Sequence, residues 1–169
     1  ETLAYHFSKG LSVFKAVEYL IKSGEKSHKR YSLEEAHQYF KEAYELLSGK
    51  DGRTREKDQL IIDLLIKWGY VHNCRADYKG LEELLLANED LAKSTADGEK
   101  LGMFYAWLGW ALRSREKLRD GYAYLIKALH LGEENASQKV IGYASAWLSW
   151  TCADRGLLYE ALKHGQLAR

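Results

Sequence analysis

The chain of 169 residues has no proline, one methionine and two cysteines, and its formal net charge is only +1. Without proline, no residue breaks a helix from within by removing an amide donor. Cys74 and Cys152 stand too far apart in sequence to suggest a disulfide framework, so a reducing, cytoplasmic setting is expected. A near-zero net charge gives no electrostatic reason to expect nucleic acid or an acidic membrane surface as partner. Apolar runs stay well short of the roughly 18 residues that a membrane span requires.

Catalytic patterns are missing too. There is no G-x-x-x-x-G-K-[ST] loop and no strand followed by a Gly-rich helix start. His72 and Cys74 could begin a metal site, but no second pair stands at ligand spacing, and ordinary helix positions account for both. Glu34-Glu35, Glu82-Glu83 and Glu133-Glu134 are adjacent residues, which point about 100° apart on a helix. They read as solvated faces rather than acid/base pairs. In "KSGEKSHKR" (22–30), Lys22, Lys26, Lys29 and Arg30 form one stripe, also read as a solvated helix face. No catalytic residue, metal or cofactor is expected.

What is present is apolar and aromatic. Hydrophobic residues make up 46% of the chain, too many for disorder at this charge. They recur at 3- and 4-residue spacing almost everywhere, which predicts helices near 2–9, 12–30, 33–48, 55–75, 78–94, 99–115, 118–131, 137–154 and 157–169. Ser32 with Glu35, and Asn135 with Gln138, have the spacing of capping boxes. Gly49 and Gly132 follow apolar runs where a left-handed residue would end a helix. The chain begins without Met and stops inside an apolar-periodic segment, so both ends read as cut from a longer protein.

A repeat organises the helices. "YAWLGWAL" (105–112) and "SAWLSWTC" (145–152) share Ala, Trp, Leu and Trp in register. Gly102, Ala106, Trp107, Leu108, Trp110, Arg115, Leu118 and Ala128 fall on Gly142, Ala146, Trp147, Leu148, Trp150, Arg155, Leu158 and Ala168. One unit upstream, Gly69, Arg75 and Leu85 fall on Gly109, Arg115 and Leu125. A fixed period in the 20–50 range with two helices per unit predicts stacked hairpins. Arg75, Arg115 and Arg155 share a position near the first helix's end, where a cation favours the helix dipole.

These units resemble tetratricopeptide repeats. Leu108-Gly109 and Leu112 match the first helix; Gly121, Leu125 and Ala128 match the small-large-small pattern of the second. Ala161, Gly165 and Ala168 repeat that pattern, and Ala36, Phe40 and Ala43 match it earlier. The departures are the longer period, the absent closing proline, and Asn88 where a small apolar residue is expected. The resemblance implies an all-α, right-handed α-solenoid of antiparallel helix hairpins. It would be one domain over 1–169, degenerate over about 1–48 and repeating over about 55–95, 99–132 and 137–169. Residues 3–47 also resemble the helical-repeat regions of large bacterial signalling proteins, which follow AAA-like signal-transduction ATPase modules. Some of those proteins carry a nucleotide cyclase or a DNA-binding domain, which would lie outside this chain.

Each first helix is apolar on two sides. Tyr105, Leu108, Gly109 and Leu112 share the face that packs on the hairpin partner; Ser145, Leu148, Ser149 and Cys152, and Leu65, Trp68, Gly69 and His72, take the same place in other units. Cys152 there is a small buried thiol rather than a nucleophile. The second face carries Met103, Ala106, Trp107 and Trp110, then Tyr143, Ala146, Trp147 and Trp150. These rings either wedge between stacked helices or line a groove; Trp107 and Trp147 could wedge while Trp110 and Trp150 open. On the groove reading, Tyr70, Asn73, Trp107, Trp110, Arg113, Trp147, Trp150 and Asp154 receive a peptide or helix on the concave face, since aromatics and Arg dominate interface hot spots. The expected function is a non-enzymatic protein-interaction module. The rivals are a small-molecule sensor closing between Trp110 and Trp150, and a spacer or self-association module.

Overall fold

In a computed structural model, the described residues are 13–49 and 54–168, and they form nine α-helices and no strand. These are α1 (Val13–Lys29), α2 (Leu33–Leu47), α3 (Arg55–Cys74), α4 (Tyr78–Ala87), α5 (Glu89–Thr95), α6 (Gly98–Ser114), α7 (Leu118–Glu134), α8 (Gln138–Asp154) and α9 (Leu158–Leu167). The helix expected near 2–9 lies outside the described residues. The chain clusters into two compact units that divide between Ala76 and Asp77. The expected repeat 55–95 is thereby shared out, with α3 in the first unit and α4 and α5 in the second.

In the first unit α1 and α2 form a hairpin, and α3 packs on α2 and more lightly on α1. Ala16, Val17 and Leu20 face Ala36, Phe40 and Ala43 across a buried seam that Ile61, Ile62 and Leu65 complete. Gly24 makes room for Phe40: a Cβ there would stand 2.6 Å from the ring.

In the second unit α6 and α7 form a hairpin, α8 packs on both, α9 packs on α8, and α4 packs on α6. Every residue of α6 from Gly102 to Leu112 is buried, as a helix apolar on more than one side requires. Where α6 and α7 cross, backbone meets backbone. A Cβ at Gly109 would stand 2.9 Å from the Gly121 carbonyl oxygen, and one at Gly121 would stand 2.9 Å from the Arg113 amide nitrogen. The expected pairing face of 105–112 is thus realised.

The helix ends correct several expectations. Gly132 lies inside α7 and Gly49 follows the α2 cap; neither is the left-handed residue. That conformation belongs to Tyr31, Ala76, Glu116 and Ala136, with Gly156 the one glycine among the described residues. At Tyr31, Glu116, Ala136 and Gly156 the backbone closes a Schellman turn: Glu116 N–H donates to the Arg113 carbonyl and Lys117 N–H to the Leu112 carbonyl. Gly132 serves packing instead, since a Cβ there would meet Ile141 at 3.0 Å.

The capping boxes also fail. Ser32 makes no side-chain cap bond; its amide donates to the Ser27 carbonyl in the turn before α2, which removes the donor Glu35 would bind in a capping box, and Glu35 accepts from the Ser27 hydroxyl at 2.8 Å instead. Asn135 ends α7 by donating to the Leu131 carbonyl, and Ser137 caps α8 two residues later than expected.

Helix 78–94 is broken. Asn88 is buried, and its Nδ2 donates to the Leu84 carbonyl at 2.8 Å, competing for the acceptor that a continuing helix would use. The chain restarts as α5. This is the position where the repeat pattern departs from a small apolar residue.

Candidate functional site

Tryptophans of α6 and α8 build an aromatic ladder in the second unit. Trp110 stacks on Trp147 with centroids 5.2 Å apart and planes 21° from parallel. Trp107 meets Trp147 at 4.9 Å and Tyr143 at 6.3 Å, and Tyr78 of α4 meets the other end of the ladder edge-on to Trp110 at 6.5 Å. The repeat register causes this: equivalent rings on neighbouring first helices arrive side by side. Trp107, Trp110 and Trp147 are buried, at 1%, 7% and 8% exposure. Trp110 is therefore wedge and not opening. Trp150 is 55% exposed, 5.5 Å from Trp110, with one side on the ladder and the other in solvent.

Two polar residues frame the exposed ring. The Arg113 guanidinium carbon lies 4.9 Å from the Trp110 centroid and 5.9 Å from that of Trp150, within cation–π reach of both. Its Nη2 donates to Asp154 Oδ2 at 2.6 Å, while its Nε is buried with no hydrogen-bond acceptor. The structure so brings together Trp107, Trp110, Arg113, Trp147, Trp150 and Asp154. Tyr70 and Asn73, the other two residues of the expected groove, are half-buried on α3 of the first unit.

Trp68 and His72 were expected on the hairpin face toward 78–94. Within the first unit both meet α2, each ring 5.2 Å from His37. Trp68 Nε1 donates to His37 Nδ1 at 3.1 Å, an acceptor that holds the indole on this side. Arg75 Nη1 lies 2.7 Å from the same nitrogen and grips both Glu34 oxygens at 2.8 and 2.9 Å.

The repeat arginines all reach back to the preceding second helix: Arg75 to Glu34 on α2, Arg115 to Glu82 on α4 at 2.9 Å, and Arg155 over the Tyr122 ring on α7 at 4.7 Å. They are helix C-caps, as the dipole reading anticipates, and inter-hairpin clamps besides. Glu82 is buried, not solvated as its pair with Glu83 suggested, because Arg115 and Lys117 both bind it. The basic stripe of Lys22, Lys26, Lys29 and Arg30 is exposed, with Lys22 paired to Glu18.

Reactive groups near α8 and α9 are held neutral. Burial pushes the Cys152 thiol up and the His164 imidazole down from their ordinary values. The Tyr105 and Tyr124 hydroxyls are likewise pushed up by burial first, with Glu89 adding to it. Among the described residues no three His, Cys, Asp or Glu side chains converge as metal ligands would, and no helix is long and apolar enough to cross a membrane. A shallow hollow of about 340 Å³ beside α7 is lined by Tyr105, Ile126, Lys127, His130, Leu131 and Glu134. What the arrangement offers chemically is a rigid apolar and cationic surface.

No family model matches the chain, and no curated protein matches it. Solved structures do. The apo form of RapI superposes with a TM-score of 0.77 at 14% identity, over 96% of this chain and 44% of that one. Aspartyl phosphate phosphatase F from Bacillus subtilis gives 0.76 at 12%, over 98% and 42%, and BtubC (BKLC) from P. vanneervenii gives 0.73 at 13%, over 99% and 65%. The chain thus spans less than half the length of the first two. At these identities the likeness shows the fold: all-α, a tetratricopeptide-like helical-repeat α-solenoid.

Proposed function

We propose that this chain is a protein-interaction repeat module that receives an amphipathic helix or peptide on the second unit's aromatic face, centred on Trp150. The observation that carries it is the half-open Trp150 ring, backed by three buried rings and flanked by Arg113. A rigid aromatic on a packed platform buries area at little entropic cost, and the Arg113 guanidinium beside it adds a cation to the face. The setting is the regulatory repeat region of a larger cytoplasmic bacterial signalling protein. The resemblance of residues 3–47 to such regions supports it, as does a structural neighbour named for acting on aspartyl phosphate. Any ATPase or cyclase activity would belong to other segments.

The test is selection of displayed random peptides on the purified chain, followed by affinity measurement on variants. Trp150→Ala should cost the selected peptides about 30-fold, a hot-spot loss, while leaving helicity unchanged. Trp107→Ala should unfold the unit instead. Equal binding to the Trp150→Ala protein overturns the reading.

A further inference from the structure

One position of the second helix receives the repeat arginine at three successive junctions. Ala36 and Phe40 align with Gly121 and Leu125, and Leu85 with Leu125, which sets His37, Glu82 and Tyr122 in one register. Arg75 meets His37, Arg115 meets Glu82, and Arg155 lies over the Tyr122 ring. Of an imidazole, a carboxylate and a phenol, the imidazole alone ordinarily changes charge between about pH 5 and 8. The first junction thus carries a titratable acceptor where the other two do not.

The bonds at His37 fix where a proton must enter. Its Nδ1 accepts from Trp68 Nε1 at 3.1 Å and from Arg75 Nη1 at 2.7 Å, and neither an indole nor a guanidinium nitrogen can accept in return. The ring therefore carries its hydrogen on Nε2, and a second proton has only Nδ1 to go to. There it turns one N–H against two others and sets an imidazolium in contact with a guanidinium. The surrounding charges do not offset this. From α3, Arg75 and His72 face the ring, both of them cations when protonated. On α2, Glu34 reaches it through Arg75 from an 80% exposed position, where screening is strong, and Lys41 pairs with Glu45. From α1, Glu25 and His28 turn instead to Lys67 and Cys74 of α3. We propose that His37 is an acid-released latch: protonation at Nδ1 frees Trp68 and Arg75 from the ring together and loosens α2 from α3. The inference lies within the first unit and stands if the docking reading fails.

Two NMR measurements on the whole chain test it. Long-range proton–nitrogen correlation reads the tautomer without any variant: at about pH 7.5 the His37 hydrogen should sit on Nε2. A hydrogen on Nδ1 overturns the proposal. Deuterium exchange at the Trp68 indole then reads the release. His37→Asn is the reference, because its side-chain oxygen takes the place of Nδ1 and accepts without titrating. At about pH 5 the indole of the native chain should exchange about tenfold faster than in His37→Asn at the same pH, the factor that one net hydrogen bond sets. At about pH 7.5 the two proteins should exchange alike and give the same circular dichroism. His164→Gln, a change in the second unit, should leave the acid response of Trp68 intact. Equal exchange of native and His37→Asn chains in acid, or a response that disappears with His164→Gln, overturns the latch.

Discussion

Gly102 and Gly142 hold the same place in successive repeats under opposite constraints. A Cβ at Gly102 would stand 2.8 Å from Val140 Cγ1, whereas one at Gly142 meets nothing within 4 Å. Gly102→Ala should therefore lower stability by about 1–3 kcal/mol through overpacking. Gly142→Ala should raise it by about 0.5–1 kcal/mol, as alanine outranks glycine inside a helix. Urea unfolding of the two variants checks the pair. Glu82 makes a second contrast: Glu82→Gln strips two cations of a buried carboxylate and should cost about 2–3 kcal/mol. Glu83→Gln, at an exposed position, should change stability by less than about 0.5 kcal/mol on the same measurement. Nothing local in the sequence distinguishes those two glutamates, because the partners of Glu82 lie 33 and 35 residues away.

His164 supplies the pH dependence at this scale. Burial holds its imidazole below the ordinary value of 6.5, with Lys163 adding to the effect and Glu160 and Glu133 opposing it. The unfolded chain then binds the proton first. Stability is fully present above about pH 6.5 and falls as pH drops below it. The melting temperature should be level between pH 7 and 8 and decline below 6.5, and His164→Gln should flatten the decline.

At the scale of helices and turns, hydrogen-bond pattern outweighs residue type. Five turns share one left-handed geometry, yet a glycine fills just one of them. Glu116, at φ 64°, should gain about 1 kcal/mol from Glu116→Gly, and Gly156→Ala should lose about as much, both read from thermal melts. This explains which parts of the fold were legible. The α6, α8 and paired α7 segments were readable because aromatic and small residues recur at one spacing, and the register sets Trp107 against Trp147 and Trp110 against Trp150. The turns were not readable, since Ala136 and Glu116 carry no sign of a positive φ. Nor was the break at Asn88 predicted as a break, although the residue stood out. Of the candidate site, the cluster of tryptophans with Arg113 and Asp154 was visible in sequence. Which ring stays open depended on what α8 covers, and that needed coordinates.

At the scale of the whole molecule, each unit closes its own aromatic core. Trp68 sits with His37, His72 and Tyr44 in the first, and the other four tryptophans lie in the second. Repeat proteins gain stability unit by unit and from neighbours, so the two cores need not melt together. In a Trp68→Phe chain, emission reports the second unit alone. Its urea transition should separate from the one followed by circular dichroism; coincident curves would show a single cooperative block.

The three clamping arginines also set how the molecule answers to dissolved ions. Glu34, which Arg75 holds, has a side chain 80% exposed, so screening reaches that grip readily. Glu82 is shielded, and a tyrosine ring offers counterions no charge to compete for. Brine should therefore slacken the α2–α3 junction while the α4–α6 and α7–α8 junctions hold, giving a scaffold whose first hairpin works loose on its own as ionic strength climbs.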